Sequence, residues 1–255
     1  MNLHPTEKLA WNIAGIILFI VLWELIGRWL GSRVLAAPSV VALDYAALLT
    51  SGTMLKELAT SLRQMLVGFG LACAIGMPLG VLMGRVKTVE LVLTPWIGMF
   101  VVTSVAALVP LFLLLLGTGF TFRAAIVFVA SIWYIVITTY NGSRGIDPGL
   151  LAVARSFGAS SLQTTVTVVL PALYPYLIAG ARIGLVHAIR AMVMAEMFVI
   201  LGYGGLIHQT GFMAETGPLI SLMISLMVVS IAATWLLRVV GRWVAPWYEQ
   251  RVAGI

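Results

Sequence analysis

Residues 147–171 read DPGLLAVARSFGASSLQTTVTVVLP. They lie between two long apolar segments, yet they carry the signals of two short helices separated by a glycine. Asp147 is a good N-cap, and Pro148 suits the first helical position, where no N–H is needed. Gly158 fits the left-handed residue that ends a helix. Ser160, with Gln163 three residues on, forms a capping box that starts a second helix. Leu170-Pro171 is expected to stop that helix before the next apolar run. A plain connector needs none of these devices, so the segment reads as a shaped docking surface.

The flanking sequence sets the class. The chain has 255 residues, 61% of them hydrophobic and only 9% charged, with a mean hydropathy of +1.07. Globular domains carry roughly 25% charged residues, and a soluble chain of this size cannot hide so much apolar surface. The expected fold is all-α and integral to the membrane, one transmembrane domain over residues 1–255. A span needs about 20 mainly apolar residues, and six runs qualify: 11–30, 62–84, 91–116, 123–140, 174–201 and 218–240. The first is long enough to be kept as a helix rather than a cleaved leader. Membrane lipid is therefore an expected partner.

The net charge of +6 is first a statement of topology, because Lys and Arg gather on the cytoplasmic side. With both termini inside, the inner segments hold Lys8, Arg85, Lys87, Arg144, Arg155, Arg238, Arg242 and Arg251. The outer segments and span ends hold Arg28, Arg33, Lys56 and Arg123, with Arg63 at the edge of this set. The bias favours N-in and C-in and puts 147–171 in the cytoplasm, between the fourth and fifth spans. Trp243, Trp247 and Tyr248 suit an interfacial belt at that face. No basic face or motif supports nucleic-acid binding. Cys73 is the single cysteine and reads as a small buried hydrophobe.

Several spans carry breaks. Gly76-Met77-Pro78-Leu79-Gly80 lies in the second, and Pro95, Gly98 and Pro110 lie in the third. Proline removes a helical hydrogen bond and kinks the helix. Membranes tolerate that where protein or a wet cavity satisfies the backbone. Kinks used only for packing and kinks lining a pathway both fit. Gly68, Gly70, Ala72, Ala74, Gly76 and Gly80 favour close helix packing.

The signature of the permease subunits of bacterial binding-protein-dependent ABC importers is E-A-A, three residues, G, nine residues, I-x-L-P. The segment 147–171 resembles it: Ala152-Val153-Ala154, three residues, Gly158, nine residues, then Val168-Val169-Leu170-Pro171. The spacing matches throughout, while Ala152 stands where the family has Glu. Neighbouring runs are similar to the nitrate, sulfonate and taurine branch. Among them are Thr60-Ser61-Leu62-Arg63, Gly76 to Gly80, Leu93-Thr94-Pro95, Val109-Pro110-Leu111, Ala179 to Arg182, Ala195-Glu196-Met197 and Gly202 to Ile207.

The resemblance implies a type I importer permease of the bacterial inner membrane, with about six spans and a cytoplasmic coupling helix. It implies a second copy of the permease, two cytoplasmic ATPase subunits and an extracytoplasmic solute-binding protein. It further implies that this chain binds no cofactor and no metal, with ATP and Mg on the ATPases. The coupling residues carried over are Ala152, Val153, Ala154, Arg155, Ser156, Phe157, Gly158, Ala159, Leu170 and Pro171. A helix of under about ten residues is marginal alone in water and gains from packing into a partner's groove. Phe157 is the natural anchor, and Arg155 suits a carboxylate or a helix C-terminus on the ATPase.

Ionisable groups inside spans mark function by default. Arg182 lies near the inner end of the fifth span, where its side chain snorkels. Glu196 lies near the outer end, as an acceptor in packing or at a gate. His187 and Arg190 are three apart and share a helix face. At about 1.5 Å per residue, Arg190 stands roughly 22 Å beyond Pro175, in the outer half of the membrane. Its planar fork suits carboxylate, sulfonate or phosphate, so it meets either an anionic solute or an internal acid, Glu196 or Glu24. Thr103 and Ser104 are further pathway candidates. An ion-gradient transporter is the competing function, but it leaves 147–171 unexplained and no inverted repeat is visible. An intramembrane enzyme lacks H-E-x-x-H, since His4, His187 and His208 are scattered. No phosphate-binding P-loop is present, so ATP hydrolysis needs another chain.

Overall fold

The structure is a computed structural model that describes residues 5–244. Those residues are helical almost throughout, and no strand occurs among them. The expected belt residues Trp247 and Tyr248, with Arg251, His4 and the side chain of Lys8, lie outside what is described. The chain divides into two compact units, residues 1–60 with 200–228 and residues 61–199 with 229–255.

The first unit holds α1 (Pro5–Leu30), α2 (Pro38–Thr50), α10 (Gly202–Phe212) and the start of α11 (Thr216–Val244). Pro38 opens α2 where no N–H is required. The next N–H, on Ser39, donates to Glu24 of α1 at 3.1 Å, and the Ser39 hydroxyl donates to the same carboxylate at 2.8 Å. Glu24 also takes Arg28 at 2.7 Å. The indole of Trp23 donates to the Ala36 carbonyl at 3.1 Å. On the other side, Ser221 of α11 donates to the Val41 carbonyl of α2 at 3.0 Å. The buried Tyr203 hydroxyl of α10 donates to the Leu222 carbonyl at 2.7 Å. Polar bonds to backbone thus tie this unit together. The sequence reading left 31–59 and 202–217 as connections; α2 and α10 are helices within them.

The second unit is built on α6 (Phe120–Arg144), whose buried residues run almost its whole length. It packs antiparallel along α9 (Leu170–Val199): Gly184 and Gly180 lie on Ser131, Ile135 and Thr138, and Gly142 lies on the Tyr176 ring. On its other flank comes α3 (Thr53–Arg85), which meets α6 through Gly68, Gly76, Gly80 and Gly84. These glycines fall on a four-residue repeat together with the fully buried Ala72. Such a stripe lets two backbones approach closely. Gly70, expected with the others, faces open space.

Two expectations need correction. The third span is two helices, α4 (Lys87–Val102) and α5 (Val105–Leu116), bent by 101° at Thr103-Ser104. Pro78, Pro95 and Pro110 all stay inside their helices. The break follows three β-branched residues, Val101, Val102 and Thr103, which crowd a helix. There Thr103 and Ser104 turn extended, with ψ of 130° and 121°, and both the N–H and the hydroxyl of Thr103 donate to the Met99 carbonyl. Among the described residues, five further helices are long and apolar enough to cross a membrane, and the bent pair makes a sixth when it counts as one span.

The second correction concerns Leu170-Pro171, which does not end a helix. The helix runs on from α8 (Ser161–Thr164) through a π turn (Thr165–Val169) into α9. Proline at 171 has no N–H and crowds the carbonyl four residues back. The wide π turn just before it, in which the Leu170 N–H reaches the Thr165 carbonyl, relieves that crowding without stopping the helix.

The glycine stripe yields a paired test. A Cβ at position 80 falls 2.7 Å from the Val136 carbonyl oxygen and 2.7 Å from Thr139 Cβ, closer than atoms pack. Gly80→Val is expected to lower the thermal midpoint of the purified protein strongly, at a cost of about 1–3 kcal/mol or more. Gly70→Val, into open space, is expected to leave it near the parent value. Equal midpoints for the two variants refute the close α3–α6 approach.

Candidate functional site

The segment after α6 folds as its caps dictate. The carboxylate of Asp147 accepts from the Gly149 N–H at 2.8 Å and starts α7 (Pro148–Ser156). Gly158 has φ +76°, the left-handed value that a side chain disfavours. The Gly158 and Ala159 N–H groups close back on Arg155 and Ala154 carbonyls. The capping box then forms in both directions. The Ser160 N–H donates to Gln163 Oε1 at 2.8 Å, and the Gln163 N–H donates to the Ser160 hydroxyl at 3.2 Å.

One side of this hairpin faces its own chain. Ile146, Val169 and Leu173 are buried together, with Leu151, Val81 and Leu177 packed against them. Ala154 and Ala159 are half-buried on the same side. The other side is apolar and open. Leu150, Val153 and Phe157 follow one another at helical spacing and are 51%, 54% and 86% exposed, and Leu162 beside them is 75% exposed. Ala152, Arg155, Ser156, Gly158, Leu170 and Pro171 are exposed too. Phe157, the expected anchor, therefore touches little of its own chain. An apolar face this open on a helix too short to span a membrane is free for contact with another molecule.

The border of the segment is strongly basic. Arg85 ends α3, Lys87 begins α4 and Arg144 ends α6. Glu90 gathers Lys87 at 3.0 Å, Arg144 at 3.1 Å and the Tyr140 hydroxyl at 2.8 Å. This ties the start of α4 to the end of α6 beneath the hairpin. Sequence reading passed over that knot, although Lys87 and Glu90 at helical spacing were a visible half of it.

Inside the spans, the acid and base pair differently from expectation. Glu196 is fully buried, and its carboxylate lies 3.9 Å from Arg123 Nη1, itself 13% exposed. Arg123 stands in the first turn of α6 and Glu196 near the end of α9, so the antiparallel hairpin brings them to one depth. A basic residue opening one span and an acid closing a later antiparallel one was the available signal. Glu24, the other acid weighed for Arg190, is taken by Arg28 and Ser39. Arg190 is exposed, and no carboxylate lies within ion-pair distance of it among the described residues. His187 is half-buried with its ring stacked on Tyr134, centroids 3.6 Å apart and 10° from parallel. Thr103 and Ser104 are exposed at the bend between α4 and α5. Among the described residues no hydrogen bond or ion pair joins them to Arg190. No group of three or more metal-ligating side chains occurs there either.

Comparison with known proteins gives this geometry relatives. The family described as binding-protein-dependent transport system inner membrane component matches residues 76–254. A putative aliphatic sulfonates transport permease protein of Bacillus subtilis, SsuC, is 28% identical over 249 residues, covering 95% of this chain and 90% of the relative. The nitrate import permease protein NrtB of Synechocystis is 28% identical over 202 residues, covering 76% of this chain and 74% of the relative. Among solved structures, the inward-facing MetNI methionine ABC transporter superposes with a TM-score of 0.64 at 20% identity. That superposition covers 77% of this chain and 96% of the solved one.

The buried pair is testable. Removing one partner of a buried ion pair strands the other charge and costs about 3–5 kcal/mol, whereas replacing both by apolar groups is often tolerated. Glu196→Ala is expected to depress the thermal midpoint sharply, and the double change Arg123→Met with Glu196→Met to recover most of the loss. Additive losses in the double variant count against the pair.

Proposed function

This chain belongs to the family of binding-protein-dependent transport system inner membrane components, and from that premise we propose that it carries a small oxyanion inward past Arg190. It is the multi-pass, non-enzymatic permease subunit of an ABC importer. The observation that carries the mechanism is the open apolar face of Leu150, Val153 and Phe157 on a capped helix. That face is what a coupling helix presents to a groove on an ATPase. Burying a side chain the size of Phe contributes about 1.5–3 kcal/mol, so Phe157 dominates the docking.

In this reading two copies of the permease stand side by side, each plugged into one of two cytoplasmic ATPase subunits, and the two units of each chain act as one permease domain. The hairpin lies in the cytoplasm, in keeping with Arg85, Lys87, Arg144 and Arg155 around it. ATP is bound with Mg and hydrolysed on the partner chains. A binding protein delivers the solute from the opposite side. Leu151, Val169 and Leu173 fasten the hairpin to its own helices, so movement of the ATPase groove is passed to α9 across the π turn. Ala152 has no carboxylate to offer, and docking rests on the apolar face, Arg155 and the Gly158 turn.

The solute class follows from the relatives and from one side chain. SsuC and NrtB are described as permeases for aliphatic sulfonates and for nitrate, both planar or tetrahedral oxyanions of single charge. Arg190 offers a fork suited to either, and the acids that could have silenced it are engaged elsewhere. His187, held by Tyr134, and the hydroxyls of Thr103 and Ser104 complete the polar lining. Extended backbone at membrane depth is tolerated where it lines a wet cavity or meets another chain, which suits the Thr103-Ser104 bend. Glu196 belongs to the framework of this pathway through Arg123.

Two outcomes are expected in reconstituted importer. Gly158→Val and Phe157→Ala each leave the permease folded but reduce ATPase co-purification and solute-stimulated ATP hydrolysis at least about tenfold, the scale of 1.4 kcal/mol or more. Uptake that survives loss of the ATPase and stops on collapse of an ion gradient would instead establish a gradient-driven transporter. Arg190→Ala is expected to weaken sulfonate or nitrate uptake about tenfold or more with assembly intact. Unchanged uptake in that variant removes Arg190 from the pathway.

A further inference from the structure

The root of the hairpin carries positive charge that no acid among the described residues balances. Arg85 at the end of α3 and Arg155 in the last turn of α7 are near enough to repel one another. They line a cavity of about 370 Å3 together with Ser161, Thr164 and Thr165. Leu151 and Val169 supply apolar wall, and no Asp or Glu is among the lining residues. Nη2 of Arg85 is buried and donates to no acceptor. A buried, charged N–H without an acceptor is costly, and a second guanidinium beside it adds to the cost. Lys87 and Arg144 nearby share Glu90; Arg85 and Arg155 have no carboxylate within ion-pair distance among the described residues.

We propose that this cleft binds a phosphate-type oxyanion, which clamps the hairpin to the end of α3. Guanidinium forks match such an anion two oxygens at a time. The Thr165 hydroxyl is committed to the Ser161 carbonyl, which leaves the hydroxyls of Ser161 and Thr164 as further donors. The cavity holds many times the roughly 30 Å3 share of a single water, enough for a phosphate group with part of what it is attached to. The ligand is either free phosphate or the headgroup of an anionic phospholipid. The second source fits a cleft formed where one apolar helix ends and another begins, since basic pockets between spans on the cytoplasmic side hold such headgroups. Bound there, the anion joins Arg85, fixed to α3, with Arg155, carried on α7, and holds the outer apolar face at a set angle. The site differs from the solute path at Arg190; it shares Arg155 with the proposed ATPase dock, so binding is read without the ATPase present.

The test uses full-length permease in phosphatidylcholine nanodiscs, without ATPase subunits. The thermal midpoint is followed as inorganic phosphate is titrated at constant ionic strength set with chloride. A second arm replaces part of the phosphatidylcholine with phosphatidylglycerol in phosphate-free buffer. A saturable rise in the first arm identifies the free ion, and a rise in the second identifies the headgroup. In either case Arg155→Gln, at an exposed position that the fold does not need, weakens the apparent affinity about tenfold or more. Arg85→Gln does the same where it folds. No rise in either arm overturns the proposal, and so does a rise that Arg155→Gln leaves unchanged. If neither anion binds but Arg155→Gln lowers ATPase co-purification in a separate assay of the assembled importer, the cleft takes a protein carboxylate. The proposal then fails while the coupling reading stands.

Discussion

The interaction on which the second unit depends is backbone against backbone along α6. Gly68, Gly76, Gly80 and Gly84 of α3 press on one flank, and Gly180 and Gly184 of α9 press on another. Lipid tails are as apolar as leucine, so burying greasy side chains gives little drive for helices to associate in a membrane. Close approach, which multiplies dispersion attraction, does the work instead. Glycines spaced by four remove the side chains that would hold the helices apart. Once α3, α6 and α9 are locked at short distance, everything at their common end is fixed as well. That end holds the Arg85 terminus, the Glu90 knot and the hairpin.

The same packing explains how far the chain could be read unaided. The caps at Asp147, Gly158 and Ser160 were legible because each is decided within four residues: a carboxylate and an N–H two positions on, a turn only glycine suits, a serine and a glutamine. The apolar runs were legible by length. The Arg123–Glu196 pair was not, because 73 positions separate the partners and only the antiparallel register of α6 and α9 sets them at one depth. The orphaned Arg85 was equally hidden, since an arginine between two spans looks like any other cytoplasmic charge until the hairpin folds over it.

None of the prolines in α3, α4 and α5 marks the end of a helix. Pro78, Pro95 and Pro110 each pointed to a break, and each sits within an unbroken helix. A missing N–H costs least where neighbouring protein supplies other bonds, and local sequence does not record that supply. The real break, at Thr103-Ser104, has no proline or glycine. It follows a β-branched run and is completed by a hydroxyl folding back onto its own helix. Pro171 shows a third outcome, in which a π turn absorbs the strain and the helix continues.

That continuation changes what the hairpin is able to transmit. A proline stop at 171 would have left the segment hinged to the next span and free to tilt against it. With the π turn, the chain is helical from Ser161 to Val199, a stretch of 39 residues or roughly 58 Å at about 1.5 Å per residue. Its near end is capped by Ser160 and Gln163 beside the open apolar face of Leu150, Val153 and Phe157. Its far end holds Glu196 on Arg123, and Arg190 lies on the way. A push on Phe157 therefore reaches α9 through the covalent turn at Gly158 and through Leu151 on Val169. The one compliant element in that line is the five-residue π turn, with its wider, weaker bonding. It sits directly against the Arg85–Arg155 cleft, so the place where the lever bends most easily is also where a bound anion would stiffen it.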